Sequence, residues 1–112
     1  DIIKAFKIFL GKYPNFKLLI VGHGPDYKKL KDLSYKLDLM KDINFLGRKT
    51  IIKKFFVRSK IFAFPSLYEG LPNVLIDSLN YNLPIVSTKC SGAEDILGKN
   101  LKILYPTKII NY

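Results

Sequence analysis

Hydrophobic residues alternate along this chain between two kinds of segment. Short continuous apolar runs, typical of buried strands, separate longer stretches in which apolar residues recur every three or four positions, as in amphipathic helices. The predicted strands are residues 16–21, 43–46, 61–64, 84–86 and 101–104. The predicted helices are residues 1–12, 25–37, 51–56, 71–79 and 92–97. Strands that alternate with helices throughout predict an α/β fold with a doubly wound parallel sheet.

The first predicted strand leads into the glycine-containing turn 22–25, Gly-His-Gly-Pro. The strand is apolar except for Lys17, so we expect it to be buried on both faces of the sheet. Pro25 is expected to open the next helix, because a proline has no N–H to lose at the first helical position.

The stretch 65–82, PSLYEGLPNVLIDSLNYN, predicts a strand end, a turn and a helix. The first turn of a helix presents unpaired N–H groups and the positive end of the helix dipole, which together favour an anion. Gly70 allows a ligand to approach closely or the backbone to take a positive φ, and Pro72 suits the first helical position. Glu69 and Asp77 flank this phosphate-sized site.

The string PS-x-YEGLPNVLID resembles the donor-site motif of the group-one family of retaining GT-B glycosyltransferases. In that family, one glutamate contacts the donor sugar, a second contacts the nucleotide ribose, and the loop and helix start between them hold the diphosphate. The resemblance implies that Glu69 is the catalytic-site residue that orients the sugar and that Asp77 holds the ribose. It also implies donor contacts from Gly70, Leu71, Pro72, Asn73 and Val74.

The two acids also have simpler explanations. Asp77 stands where the family has a glutamate, so the charge is kept while the side chain is one methylene shorter. A solvated helix position accounts for Asp77 equally well, and Glu69 alone fits a residue that merely favours a helix start. The coincidence of both acids with glycine, proline and asparagine favours a binding site for the whole string.

Further blocks resemble the same family in the same order: LLIVGHGP, INFLGR, KIFAFPS and NLPIVSTKCSGAEDIL. The resemblance implies that Gly22 and Gly24 let the backbone approach the donor, that Arg48 lies near the nucleotide base and that Ser66 contacts phosphate. A surface arginine and an ordinary turn serine remain alternatives. The family gives His23 no role in proton transfer, and we expect it to be a solvated loop residue.

The resemblance also implies that the fold lacks its first strand and last helices. The family's arginine and lysine that bind the diphosphate would precede Asp1. Because the sequence starts with aspartate rather than methionine, we expect it to be a piece of a longer protein. In the common strand order 3-2-1-4-5-6, that first strand is central. We therefore expect residues 1–112 to be a partial nucleotide-sugar-binding domain that alone is weakly stable and binds donor poorly. A cooperative urea transition with the slope of 112 ordered residues would contradict this expectation.

Composition excludes several classes of protein. Hydrophobic residues make up 48% of the chain, enough for a core, and no apolar run approaches the roughly 18 residues of a membrane-spanning helix. The single cysteine, Cys90, excludes an internal disulfide, and we expect it to be a small core or loop residue. No cluster has metal-ligand spacing, so neither a metal nor a cofactor is expected besides the donor substrate.

The net charge of +10 is spread over the chain, with a local concentration of lysines on the second predicted helix and its end. These lysines are Lys28, Lys29, Lys31, Lys36 and Lys41. An ordinary solvated face and contact with an anionic membrane surface both account for them. Nucleic acid is not expected, because no recognised binding motif accompanies the charge.

We therefore expect the intact protein to transfer a sugar from a nucleoside diphosphate sugar to a hydroxyl acceptor with retention of configuration. The acceptor, a glycan or a lipid-linked molecule, is expected to bind through an N-terminal domain outside this sequence. The expected location is the cytoplasm, with peripheral contact at the inner face of the membrane left open. Two alternatives remain: a related GT-B phosphorylase or sugar-nucleotide epimerase, and a degenerate or split nucleotide-binding remnant without catalysis.

Overall fold

The computed structural model describes residues 2–67, 70–98 and 104–105, along which helices and strands alternate. The helices are α1 (Ile2–Lys12), α2 (Tyr27–Lys36), α3 (Lys53–Arg58), α4 (Asn73–Asn80) and α5 (Ser91–Leu97). The strands are β1 (Leu18–Val21), β2 (Ile43–Gly47), β3 (Phe62–Phe64), β4 (Ile85–Thr88) and β5 (Leu104–Tyr105). This order confirms the alternation that the hydrophobic pattern predicts. Of the last predicted strand, residues 101–103 lie outside the described residues.

Every strand pairing described in the chain is parallel. β1 pairs with β2, with Leu18 opposite Ile43, and β4 lies between β3 and β5, with Phe64 opposite Ser87. These are the two groups of strands that the expected order 3-2-1-4-5-6 places on either side of its first strand. The fold class is therefore the parallel α/β class expected from the sequence.

The chain forms two compact units, residues 1–51 and 52–112. The core of the first unit consists of the buried side chains Ile3, Phe6, Leu39 and Ile43. The core of the second unit consists of Phe64, Leu75, Ile85, Cys90 and Ala93. Cys90 is only 7% exposed and packs as the small core residue expected from the sequence.

β1 is covered on one face only, so the prediction that it is buried on both faces is wrong. Leu18 and Ile20 pack against the core of the first unit, whereas Leu19 and Val21 are each 38% exposed. Successive side chains of a strand point to opposite faces of the sheet. In the described part of the first unit, α1 and α2 pack against the face that carries Leu18 and Ile20.

Two helices begin later than their prolines predict. The N–H of Tyr27 donates to the carbonyl of Gly24 at 3.0 Å, a turn that leaves Pro25 before α2. Pro72 has φ −77° and ψ 94°, an extended conformation, and α4 begins only at Asn73. Pro25 therefore lies in the turn before α2 and Pro72 at the N-cap of α4, where the missing N–H also costs no hydrogen bond.

α2 ends in a residue with left-handed backbone conformation. Asp38 has φ 57°, its N–H donates to the carbonyl of Tyr35 at 3.0 Å, and the N–H of Leu39 donates to the carbonyl of Ser34 at 2.9 Å. This pair of bonds is a Schellman closure, in which glycine is the usual residue at the left-handed position. An aspartate there keeps a conformational cost that glycine would avoid.

We expect Asp38→Gly to raise the free energy of opening of α2 by about 0.5 kcal/mol, because glycine adopts the left-handed conformation without strain. Native-state hydrogen exchange of the α2 amides would measure the change. Asp32→Gly is the matched control, since Asp32 is exposed in the middle of the same helix. There glycine should lower the free energy of opening by about 0.3 kcal/mol, because aspartate is itself a weak helix former. A gain in both variants, or a loss in both, would contradict the conformational explanation.

Candidate functional site

The turn after β1 is held by an unusual backbone conformation at Gly22. Its φ is +134°, and its N–H donates to the carbonyl of Gly47 at 2.8 Å. A side chain at this position would be strained, so glycine is required here by the conformation. The N–H of Gly22 is therefore bonded within the protein, while the predicted close approach of the donor to this turn stays a prediction.

A cavity of about 260 Å³ lies at this turn and is lined by residues 20–27 and Leu30. His23 is exposed there, with its ring centroid 4.7 Å from that of Tyr27, as expected for a loop residue at the surface. Gly24 is exposed as well, and its φ is not in the left-handed region, so its conformation does not require glycine. Arg48 follows β2 in the same unit and is exposed.

The carboxyl end of β3 is tied to the carboxyl end of β4 through Thr88. The hydroxyl of Thr88 lies within hydrogen-bonding distance of the carbonyl of Ser66, and its distance to the carbonyl of Phe64 is 3.3 Å. Thr88 thus fixes the backbone at Ser66, the half-buried residue predicted to contact phosphate. The sequence analysis missed Thr88, because only the register that places Phe64 opposite Ser87 brings it beside this turn.

Gly70 precedes α4 without any need for a special conformation. The sequence predicted glycine here for one of two reasons, a positive φ or close approach of a ligand. The φ of Gly70 is not in the left-handed region, so the first reason does not hold. A Cβ built on Gly70 would meet no described atom within 4 Å. Gly22 and Gly24 have the same open space among the described atoms, so close approach of a ligand to Gly70 stays a prediction.

The amino end of α4 has features that favour the binding of an anion. The N–H of Leu75 donates to the carbonyl of Pro72 at 2.9 Å. Helix geometry leaves the N–H groups of Asn73 and Val74 without an intrahelical acceptor. The first turn contains no acidic residue, so nothing in it offsets the positive end of the helix dipole. The start of α4 thus combines unpaired donors with a favourable field.

The residues around this helix start divide between core and solvent. Pro72 is buried and Val74 packs against the core of the second unit, whereas Leu71 is 65% exposed. α4 is therefore anchored by one side while Leu71 and the exposed Asn73 remain accessible.

Asp77 is exposed one helical turn after Asn73. Residues four apart are neighbours on a helix surface, and helical side chains lean toward the amino end. The Asp77 side chain is thus on the same face of α4 as Asn73. Glu69 lies outside the described residues, so its pairing with Asp77 around a common site stays a prediction.

The described residues contain no group of three or more His, Cys, Asp or Glu side chains that could hold a metal ion. None of the helices in the described ranges is long and apolar enough to cross a membrane.

Comparison with known proteins places the chain in one family. Residues 1–110 match the family described as glycosyl transferases group 1. An uncharacterized glycosyltransferase of Methanocaldococcus jannaschii is 44% identical over 103 residues, which are 91% of this chain and 25% of that protein. The Campylobacter jejuni enzyme named GalNAc-α-(1→4)-GalNAc-α-(1→3)-diNAcBac-PP-undecaprenol α-1,4-N-acetyl-D-galactosaminyltransferase is 35% identical over 88 residues, 77% of this chain and 24% of that one.

The fold is found in solved structures as well. The structure of Anabaena HepE in complex with UDP and glucose matches with a TM-score of 0.71 and 23% identity, over 80% of this chain and 27% of that chain. The chain spans about a quarter of the length of the curated relatives it matches. With this parallel α/β fold and a family match over nearly its whole length, the chain belongs to the group 1 family of glycosyl transferases.

Proposed function

We propose that residues 1–112 form part of a nucleotide-sugar-binding domain and that the start of α4 binds the diphosphate of the donor. The observation that carries this proposal is the helix that begins at Asn73 after an open glycine turn, with no acid in its first turn. Unpaired N–H groups at a helix start are suited to phosphate oxygens. They would also stabilise the negative charge that grows on the leaving diphosphate, without reorganising during the reaction.

The remaining predicted residues take roles around that diphosphate. Glu69 orients the donor sugar through its hydroxyl groups, Asp77 holds the ribose, and Ser66 contacts phosphate from the turn that Thr88 fixes. A diphosphate would repel the carboxylate of Asp77 beside it. Hydrogen bonds that this carboxylate accepts from the hydroxyl groups of the ribose would offset the repulsion.

The predicted residues of the first unit take the other donor contacts that the family resemblance implies. Arg48 lies near the base, and Gly24 allows the donor to approach the backbone. Gly22 contributes by holding the turn, since its own N–H is bonded to Gly47.

In the intact protein, the sugar passes from the nucleoside diphosphate to a hydroxyl acceptor with retention of configuration. Support for the donor class comes from the Anabaena structure of the same fold, which holds UDP and glucose. Support for a lipid-linked acceptor comes from the Campylobacter jejuni relative, whose name includes an undecaprenol-linked sugar. The protein accordingly works at the inner face of a membrane.

The donor proposal is tested by a thermal-shift panel on the full-length protein, with nucleoside diphosphates of each base and their sugar derivatives. The nucleoside diphosphates of one base should raise the Tm with the logarithm of ligand concentration above Kd, since a ligand that binds only the folded state stabilises it. No shift with any nucleoside diphosphate would overturn the proposal. Donor binding without transfer to any acceptor would favour the alternative of a non-catalytic nucleotide-binding remnant.

Gly70→Ala separates ligand approach from folding. We expect it to leave the Tm nearly unchanged, because the added Cβ meets no described atom and the φ of Gly70 suits other residues. Binding of the nucleoside diphosphate should weaken about tenfold, since the methyl group would occupy space beside the phosphates. Gly22→Ala is the matched contrast: it should lower the Tm through backbone strain. Equal donor affinity for Gly70→Ala and the unmodified protein would contradict diphosphate binding at this turn.

Asp77→Asn tests ribose binding against a role confined to the helix dipole. Loss of charge-assisted hydrogen bonds to the ribose should weaken nucleoside diphosphate binding about tenfold, as measured by calorimetry. If Asp77 interacted only with the helix dipole, Asp77→Asn would lower the free energy of unfolding by only about 0.5 kcal/mol and would leave the affinity for nucleoside diphosphate unchanged. Asp32→Asn, another exposed acid in the second turn of its helix, serves as the control.

A further inference from the structure

The segment that contains α3 carries a larger net charge than the lysine-rich segment that contains α2. Residues 26–42 carry five lysines but also Asp26, Asp32, Asp38 and Asp42, which leaves a net charge of +1. Residues 52–67 of the second unit carry no Asp or Glu. Their four cations are Lys53, Lys54, Arg58 and Lys60. The positive field is therefore concentrated on the segment that contains α3.

The lysines of α2 are also partly engaged within the protein. Lys29 lies 3.6 Å from the carboxylate of Asp26, and the ammonium of Lys31 lies over the rings of Tyr27 and Phe45 at 5.4 and 5.9 Å. The ion pair with Asp26 reduces the charge that α2 offers to a distant anionic surface. The ring contacts do not distinguish the two helices, because the ammonium of Lys54 on α3 lies 5.2 Å from the centroid of the Phe55 ring. The solvated face remains sufficient to explain these lysines.

The cations of α3 are exposed beside an apolar side chain, and the exposed Lys60 follows two residues after the helix. We call Lys53, Lys54, Val57, Arg58 and Lys60 the α3 patch; all five are exposed, and Val57 is 70% exposed. On a helix surface Val57 neighbours both Lys53 and Lys54, since residues three and four apart lie side by side. The ion pairs described in the chain join other residues, so the patch keeps its charge unneutralised by any described carboxylate.

Contacts on the opposite side of α3 hold the helix so that the α3 patch faces solvent. Phe56 is 6% exposed, and its ring centroid lies 5.4 Å from that of Phe62 and 5.6 Å from that of Tyr81. The hydroxyl of Ser59 donates to the carbonyl of Phe55 at 2.6 Å and closes the end of the helix. The α3 patch is therefore presented by an anchored helix.

The patch is not arranged for the stability of the helix in water. Lys54 and Arg58 are four residues apart, a spacing at which like charges destabilise a helix. An exposed valine surrounded by cations also gains nothing from solvent. Both features suit an anionic surface with an apolar interior, where the cations meet phosphate groups and the valine enters the boundary with the acyl chains.

We propose that the α3 patch docks the protein on an anionic lipid bilayer. The inference rests on the proposed work at a membrane and is independent of the donor site. The attraction adds up over the four cations and is screened by salt, because the Debye length is about 8 Å at physiological ionic strength. Insertion of Val57 adds an apolar component that salt does not screen.

Co-sedimentation of the full-length protein with vesicles tests the proposal. The protein should bind vesicles of phosphatidylcholine with phosphatidylglycerol and not vesicles of phosphatidylcholine alone. Replacing Lys53, Lys54, Arg58 and Lys60 together by glutamine should weaken this binding about a hundredfold. Replacing Lys28, Lys29, Lys31 and Lys36 by glutamine removes the same charge from α2 and should change it less than about threefold.

Single substitutions separate docking from folding and from overall charge. Val57→Asp should weaken vesicle binding at least about tenfold, whereas Tyr35→Asp, at a position 78% exposed on α2, should change it little. Lys54→Glu should raise the Tm or leave it unchanged, because it pairs an acid with Arg58, and yet weaken vesicle binding.

Four results would overturn the proposal. They are equal losses for the α2 and α3 variants, no preference for anionic vesicles, an unchanged affinity of the four-glutamine α3 variant, or an α3-dependent preference for heparin or nucleic acid over vesicles. None of these results would affect the nucleoside diphosphate binding that tests the donor site.

Discussion

Replacing Glu69 by glutamine is expected to lower kcat/KM for sugar transfer by about a hundredfold or more, the largest functional effect proposed for this chain. Glutamine keeps the length of the side chain and removes the charge. It therefore retains some contact with sugar hydroxyls while losing the stronger bonds that a carboxylate accepts from them. Because such bonds orient the reacting carbon, their loss should reduce kcat more than it raises KM for the donor.

Two comparisons make this expectation specific to Glu69. Asp77→Asn should act mainly on donor KM, because the ribose is remote from the reacting bond. Asp95→Asn replaces an exposed acid of α5 and should leave both constants unchanged. Steady-state kinetics with a labelled nucleotide sugar would measure all three variants. If Glu69→Gln retained more than about half of kcat/KM, Glu69 would have no role in orienting the sugar.

Replacing Leu75 by alanine is expected to destabilise the second unit by about 3 kcal/mol. Leu75 is 0% exposed and belongs to the core with Phe64, Ile85, Cys90 and Ala93. Truncation removes buried apolar surface and leaves a cavity between α4 and the sheet. Since α4 carries the proposed diphosphate site at its start, the variant should also lose donor affinity near its own unfolding temperature.

Leu79→Ala provides the matched control on the same helix. Leu79 is 44% exposed, so its loss should cost about 1 kcal/mol or less. Hydrogen exchange of the β3 and β4 amides would report the stability of the second unit. Similar costs for the two leucines would show that α4 is not anchored through Leu75.

The hydrophobic pattern was sufficient to predict the order of helices and strands but less reliable for their ends. The spacing of Ile2, Phe6, Phe9 and Leu10 predicts a helix over residues 1–12, and α1 covers Ile2–Lys12. The prolines misled the prediction at α2 and α4, because Pro25 lies in the turn before α2 and Pro72 is the extended N-cap of α4. A proline restricts its own φ, but the turn that begins the helix depends on neighbouring carbonyl groups.

The candidate site was predicted as a string of residues, and the structure changed the reasons for several of them. Gly22 is needed for its φ of +134°, whereas the φ of Gly70 does not require glycine. Thr88 was missed because it is 22 residues from Ser66 in the sequence, and only the parallel register of β3 and β4 brings the two together.

The sequence by itself determined the alternation of elements, the family resemblance and the acid-free basic segment that includes α3. Each of these depends on residue types and their spacing along one stretch of chain. Tertiary structure alone decided that β1 has an exposed face, that Cys90 and Leu75 share a core, and that Val57 faces solvent among cations. Burial depends on which distant elements cover a side chain, and local periodicity carries no record of that packing.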